Sequence, residues 1–292
     1  MSMRVNYGTV RMLLGEPNAN LRHTFRQAFF REGFRGIDDC GSVEQITECL
    51  AKKQYEILLL DADMNGDDTL SLIRRLREKR LSRDPFPNVI LITDPPQAER
   101  AKQIASSGAD VILIRPTSIQ TILERINLLI KSRRPFVVTQ TYIGPERRNG
   151  SRSEAMLIPQ IDVPNNLKNR AYGMTDDSLY LKSVSAVWGI IRQQRIERLI
   201  YQVGWLSKHL LPHEDDDSLP KNVKHIAMIE AALKSLNQWI DTVEHEKIYQ
   251  VKRKLDEKAN LILRGGAENA AEIISELRCD VRALEELWEH RA

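Results

Sequence analysis

Cysteine is scarce in this chain: among 292 residues there are three, Cys40, Cys49 and Cys279. No C-x-x-C pair and no neighbouring histidine accompanies them, which excludes a disulfide scaffold and a Cys/His zinc site. All three read as reduced and mostly structural. Long apolar runs are missing too. None approaches the roughly 18 residues that span a bilayer, and the start, Met1-Ser2-Met3-Arg4-Val5-Asn6-Tyr7, holds no apolar signal segment. The expectation is a cytoplasmic protein without a membrane partner. Charge of one sign is also in short supply: the formal net charge of +3 is too small to call for nucleic acid by itself. What remains, 42% hydrophobic and 28% charged residues, is ordinary for a globular chain long enough for two domains.

The most informative stretch is Tyr55-Glu56-Ile57-Leu58-Leu59-Leu60-Asp61-Ala62-Asp63-Met64-Asn65-Gly66. Ile57 to Leu60 are too few for an independent helix and have no polar face, so they read as a strand buried on both sides of a parallel sheet. Further apolar runs at Val10 to Leu14, Ile37, Val89 to Ile92 and Val111 to Ile114 alternate with helical spacing over Leu21 to Glu32, Val43 to Lys52, Thr69 to Lys79, Gln97 to Ser107 and Ser118 to Lys131. Five strands alternating with five helices predict an α/β flavodoxin-like doubly wound fold with a five-stranded parallel sheet. Asp67 and Asp68 are placed to cap the third helix.

In such sheets the carboxyl ends of the strands collect the chemistry. Asp61 leaves the third strand there, Glu16 follows the first, Thr93 ends the fourth and Arg115 leaves the fifth. Close carboxylates repel one another unless a cation is present, so the set predicts a hard divalent metal held by oxygen. Asp61 would then act as a nucleophile toward phosphorus, with Thr93 and Arg115 on the product oxygens. The plainer alternative is a carboxylate–arginine salt bridge at the rim of an ordinary sheet.

Residues from about 11 to 131 resemble the receiver domain of two-component response regulators. The likeness rests on Leu60-Asp61 with Met64 and Gly66 after it, Leu91-Ile92-Thr93, Gly108-Ala109-Asp110 and Arg115-Pro116. It implies that Asp61 is the phosphoacceptor, Thr93 the switch hydroxyl, and that Mg2+ is bound by Glu16, Asp61 and the backbone carbonyl of Asp63. It also implies a histidine kinase or phosphotransfer protein as partner. The chain departs from the family pattern at Pro17, where a second acidic residue is usual, and at Arg115, where the family has lysine. Ile112 stands in place of an aromatic, and Asp94 adds a charge beside Thr93.

Residues 8–134 are expected to form the receiver, 135–175 a connector and 176–292 an all-α helical bundle. The connector carries Arg147, Arg148 and Arg152, which with Arg133 and Arg134 at the end of the receiver make a candidate patch for an acidic partner or a phosphate backbone, set against a solvated connector with Phe136, Val138 and Tyr142 packed on a domain. Pro159 and Pro164 predict an irregular path up to Gly173. A helix capped by Asp176 or Asp177 carries Leu181, Val184 and Leu199, with Gly189 and Gly204 marking close packing or a bend. The run Glu214 to Asp217 reads as a loop. Ile226, Ile229, Leu233, Leu236, Ile240 and Val243 form a coiled-coil-like seam that breaks near His245, Gly265-Gly266 ends the next element, and Ala267 to Glu289 is the last helix. The seam predicts a partner helix or a homodimer. His209, His213, His225, His245 and His290 are scattered, none in a phosphotransfer context, so no enzyme is expected. The leading reading is a phosphorelay response regulator whose receiver controls a helical protein-interaction output. The alternatives are a phosphorylation-independent scaffold and a nucleic-acid-binding regulator.

Overall fold

The structure is a computed structural model that describes residues 5–66, 68–147, 158–174, 176–210, 218–241, 245–264 and 270–290. Asp67, Arg148, Arg152, His213, Glu214 to Asp217, Val243, Gly265, Gly266 and Ala267 lie outside the described residues. The chain divides into two compact units, Met1–Gly189 and Ile190–Ala292.

The first unit opens with a 3-10 turn, Tyr7–Thr9, and then alternates strand and helix: β1 (Arg11–Gly15), α1 (Ala19–Arg31), β2 (Gly36–Cys40), α2 (Val43–Lys52), β3 (Ile57–Asp61), α3 (Thr69–Arg77), β4 (Asn88–Thr93), α4 (Ala98–Ala105), β5 (Val111–Ile114) and α5 (Ile119–Lys131). The strands pair in parallel in the order β2-β1-β3-β4-β5, the doubly wound arrangement expected. Every residue of β3 and β4 is buried, as the apolar runs require when helices cover both faces. One face packs Met12, Leu14, Ile57 and Leu59 against α1 and α5; the other packs Leu13, Leu58 and Leu60 against α2 and α3. Helix starts follow the caps: the Asn18 side chain accepts from the N–H groups of Asn20 and Leu21, Ser42 from Gln45, Asp68 from Ser71 and Ser118 from Thr121.

The described residues of the stretch read as a connector, 135–147 and 158–174, are not irregular throughout and belong to this unit. They form β6 (Phe136–Val138), β7 (Ile143–Pro145) and β8 (Gln160–Ile161), an antiparallel sheet in the order β7-β6-β8, and then α6 (Asn166–Ala171). Phe136 and Val138 are buried and Tyr142 is partly buried, in keeping with the packed alternative; Ile143 is buried beside them. Gly144 explains part of it: a Cβ there would sit 2.8 Å from the Cα of Gly108, and Gly108 itself has φ +94°, so the two backbones meet where side chains have no room. The arginines are used internally. Arg147 donates to the carbonyl of Ala109 at 2.5 Å, and Arg133 is buried against Asp110. This removes Arg133 from the phosphate-backbone patch, because its guanidinium also donates to the carbonyls of Phe86, Pro87 and Pro164 and has no donor left for a ligand.

α7 (Asp177–Lys208) runs unbroken through Gly189 and Gly204. Its first turns seal the first unit: the buried Tyr180 hydroxyl donates to Asp84 Oδ2 at 2.7 Å. In the second unit, α7 from Ile190 onward is joined by α8 (Ser218–Leu236), α9 (Glu246–Leu263) and α10 (Ala270–Glu289). A Cβ at Gly204 would fall 1.9 Å from Oε1 at the end of the Glu285 side chain, and nothing lies near Gly189. Ile226, Ile229, Leu233 and Leu236 are fully buried against their own unit. The seam is therefore consumed inside the bundle and is not the exposed surface that a dimer or a partner helix would need. The helix interruption anticipated near His245 is real, since α8 stops at Leu236 and α9 starts at Glu246. No helix among the described residues is long and apolar enough to cross a membrane.

Candidate functional site

Parallel strands deliver their last residues to one edge, and here that edge carries an acidic cluster. Asp61 is the final residue of β3 and Glu16 follows β1 directly, with β1 and β3 in register side by side. Both carboxylates are nearly inaccessible, at 5% and 3% exposure. Arg115, just past β5, bridges them: one Nη2 donates to Glu16 Oε2 at 3.1 Å and to Asp61 Oδ2. Its other terminal nitrogen lies 3.6 Å from Asp94 Oδ1, and its side chain stays 27% exposed.

The second oxygen of each carboxylate is held by backbone. The Asp63 N–H donates to Asp61 Oδ1 at 2.6 Å, and the Asn18 N–H to Glu16 Oε1 at 3.0 Å. Burial pushes the Glu16 carboxyl up; the N–H of Asn18 and the guanidinium offset this only in part, and the charge of Asp61 adds to it. Burial alone would push Arg115 down, but Asp61 and Glu16 outweigh it and hold the guanidinium charged. The cation that two close carboxylates need is thus supplied by the chain itself.

Of the residues singled out from sequence, the structure brings Glu16, Asp61 and Arg115 together and sets two others apart. Thr93 ends β4 at the same edge, but its hydroxyl donates to the carbonyl of Asp94 at 3.0 Å. The Asp63 side chain is exposed and accepts from the N–H of Gly66 at 3.2 Å, so it is no third carboxylate of the cluster. Among the described residues no group of three or more histidine, cysteine or acidic side chains is placed to hold a metal. What the site offers a divalent cation is two hard carboxylates, each with lone pairs beyond those already used, and these suit Mg2+ in kind. Arg115 stands where that ion's charge is wanted.

Two residues of this edge escaped the sequence. Arg22 donates to the Glu16 carbonyl at 2.6 Å and to Asp39 Oδ2 at 3.1 Å, fixing the loop that presents Glu16. Arg100 donates to the carbonyl of Ala62 at 3.1 Å. Neither has a local signal, because each is an exposed-pattern helical arginine whose target is set by tertiary packing.

A family model, that of the response regulator receiver domain, matches residues 13–127. The transcriptional regulatory protein PhoP of Escherichia coli strain K12 is 24% identical over 172 residues, which cover 59% of this chain and 67% of PhoP. The transcriptional regulatory protein TctD of Salmonella typhimurium strain LT2 is 28% identical over 122 residues, 42% of this chain and 52% of TctD. Among solved structures, a response regulator protein from Burkholderia pseudomallei, with a phosphorylated aspartic acid, calcium ion and citrate, shows 22% identity and a TM-score of 0.35, covering 39% of this chain and 64% of that one. A CheY-like receiver domain protein from Methanospirillum hungatei JF-1 shows 17% identity and a TM-score of 0.37, covering 41% and 91%. TM-scores this low add nothing to the sequence match. The chain spans about half of TctD, so what these relatives do as whole proteins stays with them. Residues 13–127, whose strand order and acidic edge have just been described, are a response regulator receiver domain.

Proposed function

We propose that this protein is a phosphorelay response regulator in which Asp61 is the phosphoacceptor and the helical second unit is the output. The observation that carries the proposal is the placement of Asp61: last residue of β3, nearly buried, one oxygen oriented by the Asp63 N–H, the other on Arg115, and Glu16 alongside. In the transfer, an Asp61 oxygen bonds to phosphorus as the donor's phosphorus–oxygen or phosphorus–nitrogen bond breaks. Arg115 leaves the carboxylate for the phosphoryl oxygens, and Thr93 turns its hydroxyl from the Asp94 carbonyl to the same oxygens. Glu16, Asp61 and the Asp63 carbonyl would hold Mg2+, which would supply neutralisation of the phosphoryl charge. The phosphodonor is a histidine kinase or phosphotransfer protein. The protein regulates and has no catalytic activity of its own beyond this transfer. The second unit works through protein contacts: its described part is entirely helical, and Arg133 is committed inside the first unit.

The test is the intact mass of the full chain after incubation with acetyl phosphate and Mg2+. One added phosphoryl group, lost in Asp61→Asn, is expected; undiminished labelling of that variant would move the site elsewhere. A second reading, a scaffold that works without phosphorylation, is favoured by one observation: the counter-ion place is already filled by Arg115, while Pro17 supplies no second acid. An unlabelled wild-type chain would select it. Salt-dependent retention on nucleic acid would instead overturn the protein-contact output.

A further inference from the structure

Cys40 and Cys49 are nine positions apart with no motif around them, yet their sulfurs lie 3.6 Å apart. Cys40 is the last residue of β2 and is buried; Cys49 lies in the second turn of α2 and is partly exposed. A disulfide has its sulfurs at about 2.05 Å, so closing this pair takes a shift of roughly 1.5 Å, within reach of a side-chain rotation and a small settling of α2 on β2. Cys49 also lines a surface cavity of about 360 Å³ together with Arg26, Lys52, Lys53 and Tyr55. Through it a small molecule has access to one sulfur of the pair and not the other.

We propose that Cys40 and Cys49 form a reversible oxidation site, a vicinal dithiol that a hydroperoxide converts to an intramolecular disulfide. The asymmetry in burial sets the order of events. The Cys49 thiol gives up its proton and its sulfur attacks hydrogen peroxide; the O–O bond breaks, Cys49 becomes a sulfenic acid, and the departing hydroxide takes that proton and leaves as one water. The Cys40 sulfur then attacks the Cys49 sulfur. The S–S bond forms, the S–O bond breaks, and the departing hydroxide takes the Cys40 proton as a second water. Two thiols and one peroxide thus give one disulfide and two waters. Cys40, buried where peroxide does not reach it, is left for the resolving role.

The pair is coupled to the acidic edge by main chain. The carbonyl of Cys40 accepts the N–H of Glu16 at 3.1 Å, and Asp39, its neighbour, holds Arg22, which grips the Glu16 carbonyl. Drawing Cys40 toward α2 therefore pulls on the loop that presents Glu16 to Arg115.

The experiment treats the reduced full-length chain with hydrogen peroxide, alkylates it in denaturant and measures its mass and its cysteine peptides. Expected are the loss of two of three alkylation sites, a cross-linked peptide joining Cys40 and Cys49, and full recovery on reduction. Cys279→Ser should leave the cross-link unchanged. Cys40→Ala should leave Cys49 as a sulfenic acid that dimedone traps, and this readout does not depend on the variant's stability because the wild-type cross-link stands beside it. Three free thiols after peroxide, a link through Cys279, or overoxidation of Cys49 in the native chain without any cross-link would each overturn the proposal.

Discussion

The two edges of the parallel sheet carry the same chemistry in opposite states of completion. At the amino-terminal edge, Asp110 receives Arg77 Nη2 at 2.8 Å, Arg133 Nε at 2.8 Å and Nη2 at 3.1 Å, and the Val89 N–H at 2.8 Å. The two guanidiniums spend their other donors on the carbonyls of Pro85, Phe86, Pro87, Gly108 and Pro164. All three side chains are buried, and β6 lies over them with the Phe136 ring 5.1 Å and 4.9 Å from the two guanidinium carbons. At the carboxyl-terminal edge, Asp61 has one arginine and one N–H, and that arginine is partly in water. A carboxylate whose lone pairs are all spoken for can only hold structure. One held by a single exchangeable cation can give that cation up to a phosphoryl group or a metal. Burial and ion pairing are shared by both edges, so neither tells them apart; the number of partners does.

The sharpest way to break this contrast is to remove the acid at each edge. Asp110→Ala leaves two buried guanidiniums without their counter-charge and should cost about 3–5 kcal/mol of unfolding free energy. Asp61→Asn keeps the Asp63 N–H partner and frees a partly solvated arginine, so its cost should stay within about 1 kcal/mol. Urea unfolding of the full chain, followed by a probe in the first unit, compares the two. Equal losses would mean that the acidic edge is as structural as the other.

How much of this was readable from the residues follows the same division. The strand order and the position of Asp61 were legible, because buried strands announce themselves as apolar runs and topology places their ends. Glu16 and Arg115 were legible as neighbours, and the bridging salt link between them was the plainer of the two arrangements foreseen. The direction of the Thr93 hydroxyl was not, since a rotamer choice between Asp94 and Asp61 leaves no trace in spacing. Nor was the docking of the segment after α5: Phe136, Val138 and Tyr142 were recognisable as packing residues, but Gly144 against Gly108 and Arg147 on Ala109 are encounters between distant segments. The seam of α8 shows the converse limit. Heptad-like spacing identifies a buried stripe, and it is silent on whether the burying surface belongs to the same chain.

A medium-sized effect tests whether Arg115 stands in for a metal. Arg115→Ala exposes Glu16 and Asp61 to each other's charge, and in the absence of divalent cations stability should fall by about 1–2 kcal/mol. Millimolar Mg2+ should recover most of that loss in the variant and change the parent little, because a ligand stabilises only a fold that has room for it. Parallel urea curves with a chelator and with Mg2+ measure both. A variant that ignores Mg2+ would show that the two carboxylates do not form a cation site even when the guanidinium is gone.

The smallest expected effect concerns protons and has opposite signs at the two edges. Burial raises the Glu16 carboxyl above the ordinary glutamate range, so the folded chain holds that proton more tightly than the unfolded chain does. Its contribution to stability is complete below the unfolded value, about 4.3, and is lost as pH rises through the higher folded value. For Asp110, burial pushes up, but Arg133 and Arg77 outweigh it and hold the carboxyl below the ordinary range. Its contribution is present above the unfolded aspartate value and is lost as pH falls through the folded one. Glu16→Gln should therefore remove a stability component that declines with rising pH just above the usual carboxylate range, on the order of 1 kcal/mol or less. The acid limb below that range, where Asp110 titrates, should survive in this variant. Unfolding free energies of parent and Glu16→Gln from pH 3 to pH 8 give the difference curve directly. A difference that grows with rising pH would mean that Arg115 outweighs burial at Glu16, and the acidic edge would then resemble the structural one in its electrostatics.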